Sequence, residues 1–508
     1  MGIPLTTHAA IIGVPAAARL DREGTAAFAV RAAGSFRLGN PAGTGNMLSA
    51  QRLHAEQAMS TRPILELMQN RRYRGWLLTL LLLMSMFGFI DRQIIGALAE
   101  SIKLDLGISD TQLGLLGGLA FALLHSVLSI PLARLAERHN RVIIYGIGIL
   151  LWSAATMSCG LAGSFTLLLL ARAAVGVGEA SQPAALSLAA DYYPPGQRVA
   201  TSSITILAVP LGAFIGSAAG GAIAELANWR WAFVLAGAPG LLLGVLFLLT
   251  IREPLRGHYD PPSAHGDAVP PLAAVLRRAV QRPAFLHVAV GSSLISAGGF
   301  GINLFVAPYF IRRFGMGFAD SGLIAGLISA VPGVLGMFLG GQFANRLARR
   351  DPRFYAWTPG IGALLACPLY IISLMQGQWL AATLLFMVTG IFQYIYLPCS
   401  VGIYANTMEP RMRATASAIV GILTSVVGAG AGPLLVGTFS DRLAARHFGA
   451  DYALACAAPG THPPGLSAVC REAAAVGLQW AMMLTALIYL WGALHFFLAA
   501  RTVARDMR

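Results

Sequence analysis

Long apolar runs separated by short, arginine-rich polar stretches dominate this chain. A helix needs about 20 apolar residues to cross about 30 Å of hydrocarbon, and twelve such runs can be read along the sequence. They lie near 75–98, 111–135, 141–161, 164–190, 200–225 and 229–251, then 284–312, 320–345, 355–376, 379–408, 414–440 and 476–499. Pro131, Pro210, Pro332 and Pro433 fall inside them, as membrane helices permit. Residues 1–72 hold no sustained apolar run and read as a disordered tail or an over-long gene start.

The polar stretch 252–283 divides the runs into six plus six. This gives an N-terminal lobe over 73–251, a linker, a C-terminal lobe over 284–500 with an outer loop at 441–475, and a short end at 501–508. Arginines gather in the loops that share a side with both termini, so the positive-inside tendency places that side in the cytoplasm. The halves also repeat. A shift of 208 lays Gly114, Leu115, Gly118, Ala122, Ala136, Arg138 and Arg141 over Gly322, Leu323, Gly326, Ala330, Ala344, Arg346 and Arg349. A shift of 215 lays Pro195, Arg198, Ser202 and Ile204 over Pro410, Arg413, Ser417 and Ile419. Parallel repeats of six spans point to a two-lobed transporter with its site at the midplane. The expected fold is an all-α membrane protein of twelve transmembrane helices in two pseudo-symmetric six-helix bundles.

Composition narrows the alternatives. The chain is 56% hydrophobic and 11% charged, against about 25% charged residues in soluble domains. Its net charge of +14 lies in scattered loops rather than on one face, which argues against nucleic acid. Lys103 is the sole lysine, so no Walker A loop exists. No metal-binding or nucleophile motif stands out, and neither an enzyme nor a cofactor is expected; an integral-membrane enzyme or receptor is the distant alternative.

Charges inside the apolar runs carry the functional signal. Asp91 and Arg92 lie in the first run; Arg172 and Glu179 lie in the fourth. Each charge at a bilayer centre costs roughly 2.5–3.5 kcal/mol, whereas a leucine returns only about 0.3–0.6 kcal/mol. Arg172 and Glu179 are seven residues apart, within about 20° of one helix face, with Glu179 about 10 Å deeper toward the inner side. Asp91 rises roughly 22 Å from inside while Arg172 descends roughly 12 Å from outside, so the two can pair. Glu179 is then expected to be the more weakly compensated carboxylate. A desolvated carboxylate takes up protons more readily, so Glu179 reads as a proton carrier, with Arg92 or Arg172 holding an anionic substrate group.

The segment PLARLAERHNR resembles the inner loop of the major facilitator superfamily, with Glu137, Arg138 and Arg141 at its charged positions. Its second copy, GGQFANRLARR, keeps Arg346 but has Asn345 at the acidic position. RAAVGVGEA, FIDRQ and PLGAFIG together resemble the spinster-like branch. The resemblance implies a carrier that works as a single chain in a membrane, expected to be the bacterial inner membrane, and moves a lipid-like or other small molecule together with protons. It also implies that the Glu137/Arg138/Arg141 loop latches the lobes on the inner side when the cavity opens outward. Span eleven lacks the acidic residue typical of animal members, so a lipid phosphate does not carry over.

Weaker expectations complete the picture. Pro210, Gly212 and Gly216 in span five, with Gly432 and Pro433 in span eleven, should allow bending and close helix approach. Span five loosely resembles an antiporter signature, which tilts the reading toward export; import of small organic or aromatic acids with protons is the alternative. The 215 shift places Tyr394 opposite Glu179. Asn303, Gln393, Tyr394 and Tyr396 are expected to line the second lobe's cavity, with His125 a proton participant or ordinary packing. This division suits an amphiphilic organic anion. Cys456 and Cys470 share a polar loop and can form a disulfide if it faces an oxidising compartment.

Overall fold

The computed structural model describes residues 64–259, 270–409, 412–449, 452–456 and 464–507. Most of the expected tail, the middle of the linker and the tip of the last polar loop lie outside these described residues. The first lobe runs α1 (Arg71–Leu106), α2 (Asp110–Arg138, with a π-helical turn at Leu115–Leu119), α3 (Arg141–Gly160), α4 (Phe165–Glu179 and Gln182–Tyr192), α5 (Pro195–Ile206 and Ala208–Leu226) and α6 (Trp229–Thr250). A linker helix, α7 (Leu272–Val280), follows. The second lobe holds α8 (Pro283–Phe314), α9 (Phe318–Ala348), α10 (Phe354–Leu374), α11 (Trp379–Tyr394 and Tyr396–Thr407), α12 (Arg413–Phe448, π-helical over Thr424–Ala431) and α13 (Pro464–Ala486 and Ile488–Asp506).

Among the described residues, eleven segments are long and apolar enough to cross a membrane. The twelfth span is α4, whose break leaves pieces of 15 and 11 residues, each too short alone. Chain ends and boundaries follow local chemistry. Asn70, Asn140, Ser164 and Asn228 accept hydrogen bonds from the exposed N–H groups that open α1, α3, α4 and α6. Gly107 and Gly315 close α1 and α8 in the left-handed region, at φ 61° and 67°, where a side chain would be strained. These glycines are themselves related by the 208-residue repeat.

Two boundaries differ from the sequence reading. The outer loop expected at 441–475 is largely helical, because α12 continues to Phe448 and α13 begins at Pro464. The alanine-rich stretch REAAAV favours helix once started. The linker is not merely polar connection either, since it folds the helix α7.

The lobes meet unevenly. On the side away from the arginine-rich loops, Ile94, Leu98, Ile102, Leu113 and Phe233 share one buried core with Phe305, Phe310, Ile324 and the rest of the second lobe. Toward the arginine-rich side the first lobe has a core of its own, around Leu80, Met84, Tyr145, Trp152 and Phe247. Glycines make the shared half dense. A Cβ on Gly114 would lie 2.4 Å from the Pro433 carbonyl oxygen, and one on Gly322 would lie 2.5 Å from that of Ser217. Those two glycines are repeat mates, so α2 against α12 and α9 against α5 form the same contact twice. Within the lobes, Gly212 and Gly216 seat α5 on Phe89 and Ile90 of α1, while Gly432 seats α12 on Ala297 of α8.

Gly322→Val should overpack this seam by about 1–3 kcal/mol, seen as a lower melting temperature of the purified protein. Gly341→Ala, whose Cβ would meet only Pro398 at 3.7 Å, should melt like the parent.

Candidate functional site

The four intramembrane charges form two ion pairs of different character. Asp91 is fully buried; its Oδ2 accepts from Arg172 Nη1 at 2.8 Å and its Oδ1 from Thr156 Oγ1 at 3.0 Å. Neither partner reaches solvent, as the Arg172 side chain is 1% exposed. This is a sealed strut tying α1, α3 and α4. Arg172 is therefore not available to hold a substrate, contrary to one of the roles expected for it.

Arg92 and Glu179 form the second pair, in which Nε and Nη2 of Arg92 both donate to Glu179 Oε2, the former at 2.8 Å. Glu179 is thus paired rather than left alone. It remains the less compensated of the two carboxylates, because its Oε1 is buried without a hydrogen-bond partner. Arg92 is 29% exposed. The rings of Phe89 and Phe121 lie 5.2 and 4.9 Å from its guanidinium carbon, within cation–π range. Arg92 and Glu179 line a small cleft whose walls include Met84, Tyr145, Ile149 and Trp152. The Trp152 Nε1–H is buried and unpartnered.

The backbone explains why Glu179 sits at this cleft. It is the last residue of the first half of α4. Pro183, four residues on, has no N–H to give the Glu179 carbonyl, so the ladder breaks there. In the second lobe α11 breaks after Tyr394, and Pro398 stands four residues beyond. The 215-residue shift thus relates both the residues and the prolines that break the helices next to them. The proline pair was readable in the sequence and is the signal that the intramembrane charges alone did not supply.

The second lobe's cleft is lined by Asn303, Gln393 and Tyr394 with Tyr370 and Phe386. Gln393 Oε1 accepts from the hydroxyls of Tyr370 and Tyr489, and Asn303 donates to Ser329 Oγ at 2.8 Å. Tyr396 is buried beyond the break and is not part of this lining. His125 lies outside the first cleft, stacked on Phe121 at 5.3 Å.

The inner loop lies on the side where the first lobe has a core of its own. Arg141 is buried inside its own lobe, bonded to Asp191 and Glu253 at the ends of α4 and α6. Glu137, Arg138 and Arg346 are exposed, and the carbonyls of Ala136 and Glu137 accept from Arg256 at the start of the linker. The polar ties between lobes gather at the opposite side, among residues the sequence reading did not select. Arg312 on α8 grips Asp110 through two bonds of 2.7 and 2.8 Å and Glu100 through one of 2.8 Å. Lys103 and Ser440 each reach Asp110 at 2.6 Å. Asp441 caps the N-terminus of α2 by accepting from the N–H groups of Asp110 and Thr111 at 3.0 and 2.8 Å. Glu225 does the same for α9 through Ala319, at 2.7 Å. Each lobe's carboxylate therefore neutralises the positive end of a helix in the other. These charges lie at span ends, where a single sequence marks nothing unusual. Cys456 and Cys470 are joined as a disulfide on this side.

Two broken-helix lobes around paired intramembrane charges define a membrane transporter rather than an enzyme. The chain belongs to the major facilitator superfamily, whose family model matches residues 81–433, and within it to the spinster-like branch. It is 32% identical over 374 residues to an MFS-type efflux pump of Mycolicibacterium smegmatis, covering 73% of this chain and 85% of that protein. It is 30% identical over 385 residues to protein spinster homolog 1 of Homo sapiens, covering 71% of each. Among solved structures it matches a bacterial homolog to the human lysosomal transporter Spinster, in an inward-facing and unoccupied conformation. That match has a TM-score of 0.79 at 31% identity and covers 86% of this chain and 99% of the other.

Asp91→Asn should cost about 3–5 kcal/mol of stability by stranding Arg172, read as a large fall in melting temperature. Asp91→Asn with Arg172→Gln should recover part of it. Arg312→Gln should loosen the seam instead: spin labels at Leu226→Cys and Met375→Cys should show a new, longer distance by electron–electron resonance.

Proposed function

We propose that this carrier moves an amphiphilic organic anion by alternating access linked to protons, with Glu179 as the coupling carboxylate and Arg92 as the anion's partner. The observation that carries this reading is the Arg92–Glu179 pair at the wall of a cleft that also presents apolar and aromatic side chains beside Ser85, Ser181 and Gln182. The anionic end of a substrate would meet Arg92, and its apolar part would lie against Met84, Tyr145, Ile149 and Trp152.

The linkage follows from electrostatics. While Glu179 is ionised it occupies Arg92, and an arriving anion has to displace it. Displacement removes the compensating cation and leaves the carboxylate desolvated, which raises its proton affinity. A proton on Glu179, conversely, frees Arg92. Proton and anion therefore bind cooperatively, each strengthening the other by the same factor, so they travel together. With the proton gradient pointing inward this is the importing mode. Outward transport, driven by the substrate's own gradient, is the second reading, supported by the relative named as an efflux pump. The arginine-rich loops support a cytoplasmic placement of the split side of the lobes. Asp91 and Arg172 act as the fixed frame against which the mobile pair works.

The test is flux in proteoliposomes with an imposed pH gradient of either sign. The parent protein should move a single-tailed anionic amphiphile faster from the acidic side. Glu179→Gln should reduce transport to the level set by the substrate gradient, whichever way the pH gradient points. Gradient-driven flux unchanged in Glu179→Gln would overturn the role of Glu179.

A further inference from the structure

The linker helix α7 has an apolar surface that the protein covers only in part. Val275 and Ala279 are buried against the second lobe, where α7 packs on α8 and α12. Leu272, Leu276 and Val280 are 51, 45 and 65% exposed. At about 100° per residue these three form a second stripe, centred about 80° around the helix from the first. Isolated exposed leucines are ordinary, but a stripe at i, i+4 and i+8 on one helix face implies a cover.

Charge and position identify the cover. The stretch LAAVLRRAVQR contains three arginines and no acidic residue. Arg277 is exposed and lies about 100° beyond Leu276, at the edge of the apolar stripe. Arg278 on the far side reaches Glu409 at 3.6 Å, and Arg282 donates to the Asp506 carbonyl at 2.9 Å, which pin the helix to its own lobe. The membrane-spanning α8 opens at Pro283, three residues after α7 ends. The free stripe is therefore held at the level where the bilayer begins. A helix with an apolar stripe flanked by arginine lies in the interfacial plane, its leucines at the acyl boundary and its guanidinium among lipid phosphates.

We propose that α7 docks on an anionic lipid leaflet, with Leu272, Leu276 and Val280 immersed and Arg277 bound to headgroup phosphate, so that the linker end of the second lobe is tethered to the membrane surface. This holds whichever substrate the carrier moves.

The test uses the full chain carrying a nitroxide at Leu276→Cys. The free cysteines Cys159, Cys367 and Cys399 are buried, which favours labelling at this position. The protein is placed in nanodiscs of phosphatidylcholine, with or without a quarter phosphatidylglycerol, and immersion is read from oxygen against a water-soluble nickel relaxant. With phosphatidylglycerol the label should favour oxygen. Arg277→Gln, an exposed change, should lower the immersed-to-lifted ratio about fivefold, the effect expected of one arginine near a charged membrane surface. Equal nickel access in both lipids overturns the proposal. So does shielding from both relaxants in detergent micelles as well as discs, because that result assigns the stripe to a protein cover such as a second copy of the chain.

Discussion

A cation buried away from water has to find its counter-charge within hydrogen-bonding reach, and three arginines of this chain meet that demand in three ways. Arg172 is sealed against Asp91, with Thr156 completing the carboxylate's bonds. Its desolvation is permanent, so the pair serves as a rigid brace. Arg312 joins carboxylates across the seam between the lobes, so its neutralisation exists only while the lobes are closed on that side. Arg92 sits at a cleft wall with one foot on Glu179 and aromatic faces beneath it. Its side chain keeps 29% of its surface exposed in that pair. The same chemical pairing yields a fixed brace, a conformational clasp and an exchangeable contact, and the difference lies in burial and in which bodies the partners belong to.

The seam adds a steric counterpart to the clasp. Backbone-to-backbone approach at Gly114, Gly118, Gly221 and Gly322 leaves no room for side chains between the lobes. Close approach of this kind is made or lost as a unit, because a dense interface yields little to partial separation. The π-helical turns in α2 and α12 lie in the two helices that make one of these contacts, where irregular backbone commonly accompanies function.

Much of the fold was legible because hydrocarbon imposes a simple code. The twelve spans, the division at the linker and the internal repeat follow from run lengths and spacing alone. The Asp91–Arg172 pairing was also within reach, since rise per residue fixes the depth of each group in its span. Pairing of Glu179 with Arg92 was harder to see, because adjacent residues in α1 point to different neighbours and depth does not choose between them. Asp110, Arg312 and Asp441 escaped notice for another reason: at span ends charges cost little, and their importance comes from meeting across lobes. The bonds of Arg141 were not legible either, since it carries a motif position and turns to Asp191 and Glu253.

Pro183 and Pro398 occupy equivalent places in the two lobes, whereas the residues beside the breaks, Glu179 and Tyr394, do not match. The kink is thus shared by both halves, and the ionisable group stands in only one of them. Duplicated scaffolds can specialise in this manner: the bend supplies an opening in the helix at the same depth twice, and a single substitution there decides which copy becomes electrically active. The molecule is symmetric in its mechanics and one-sided in its chemistry.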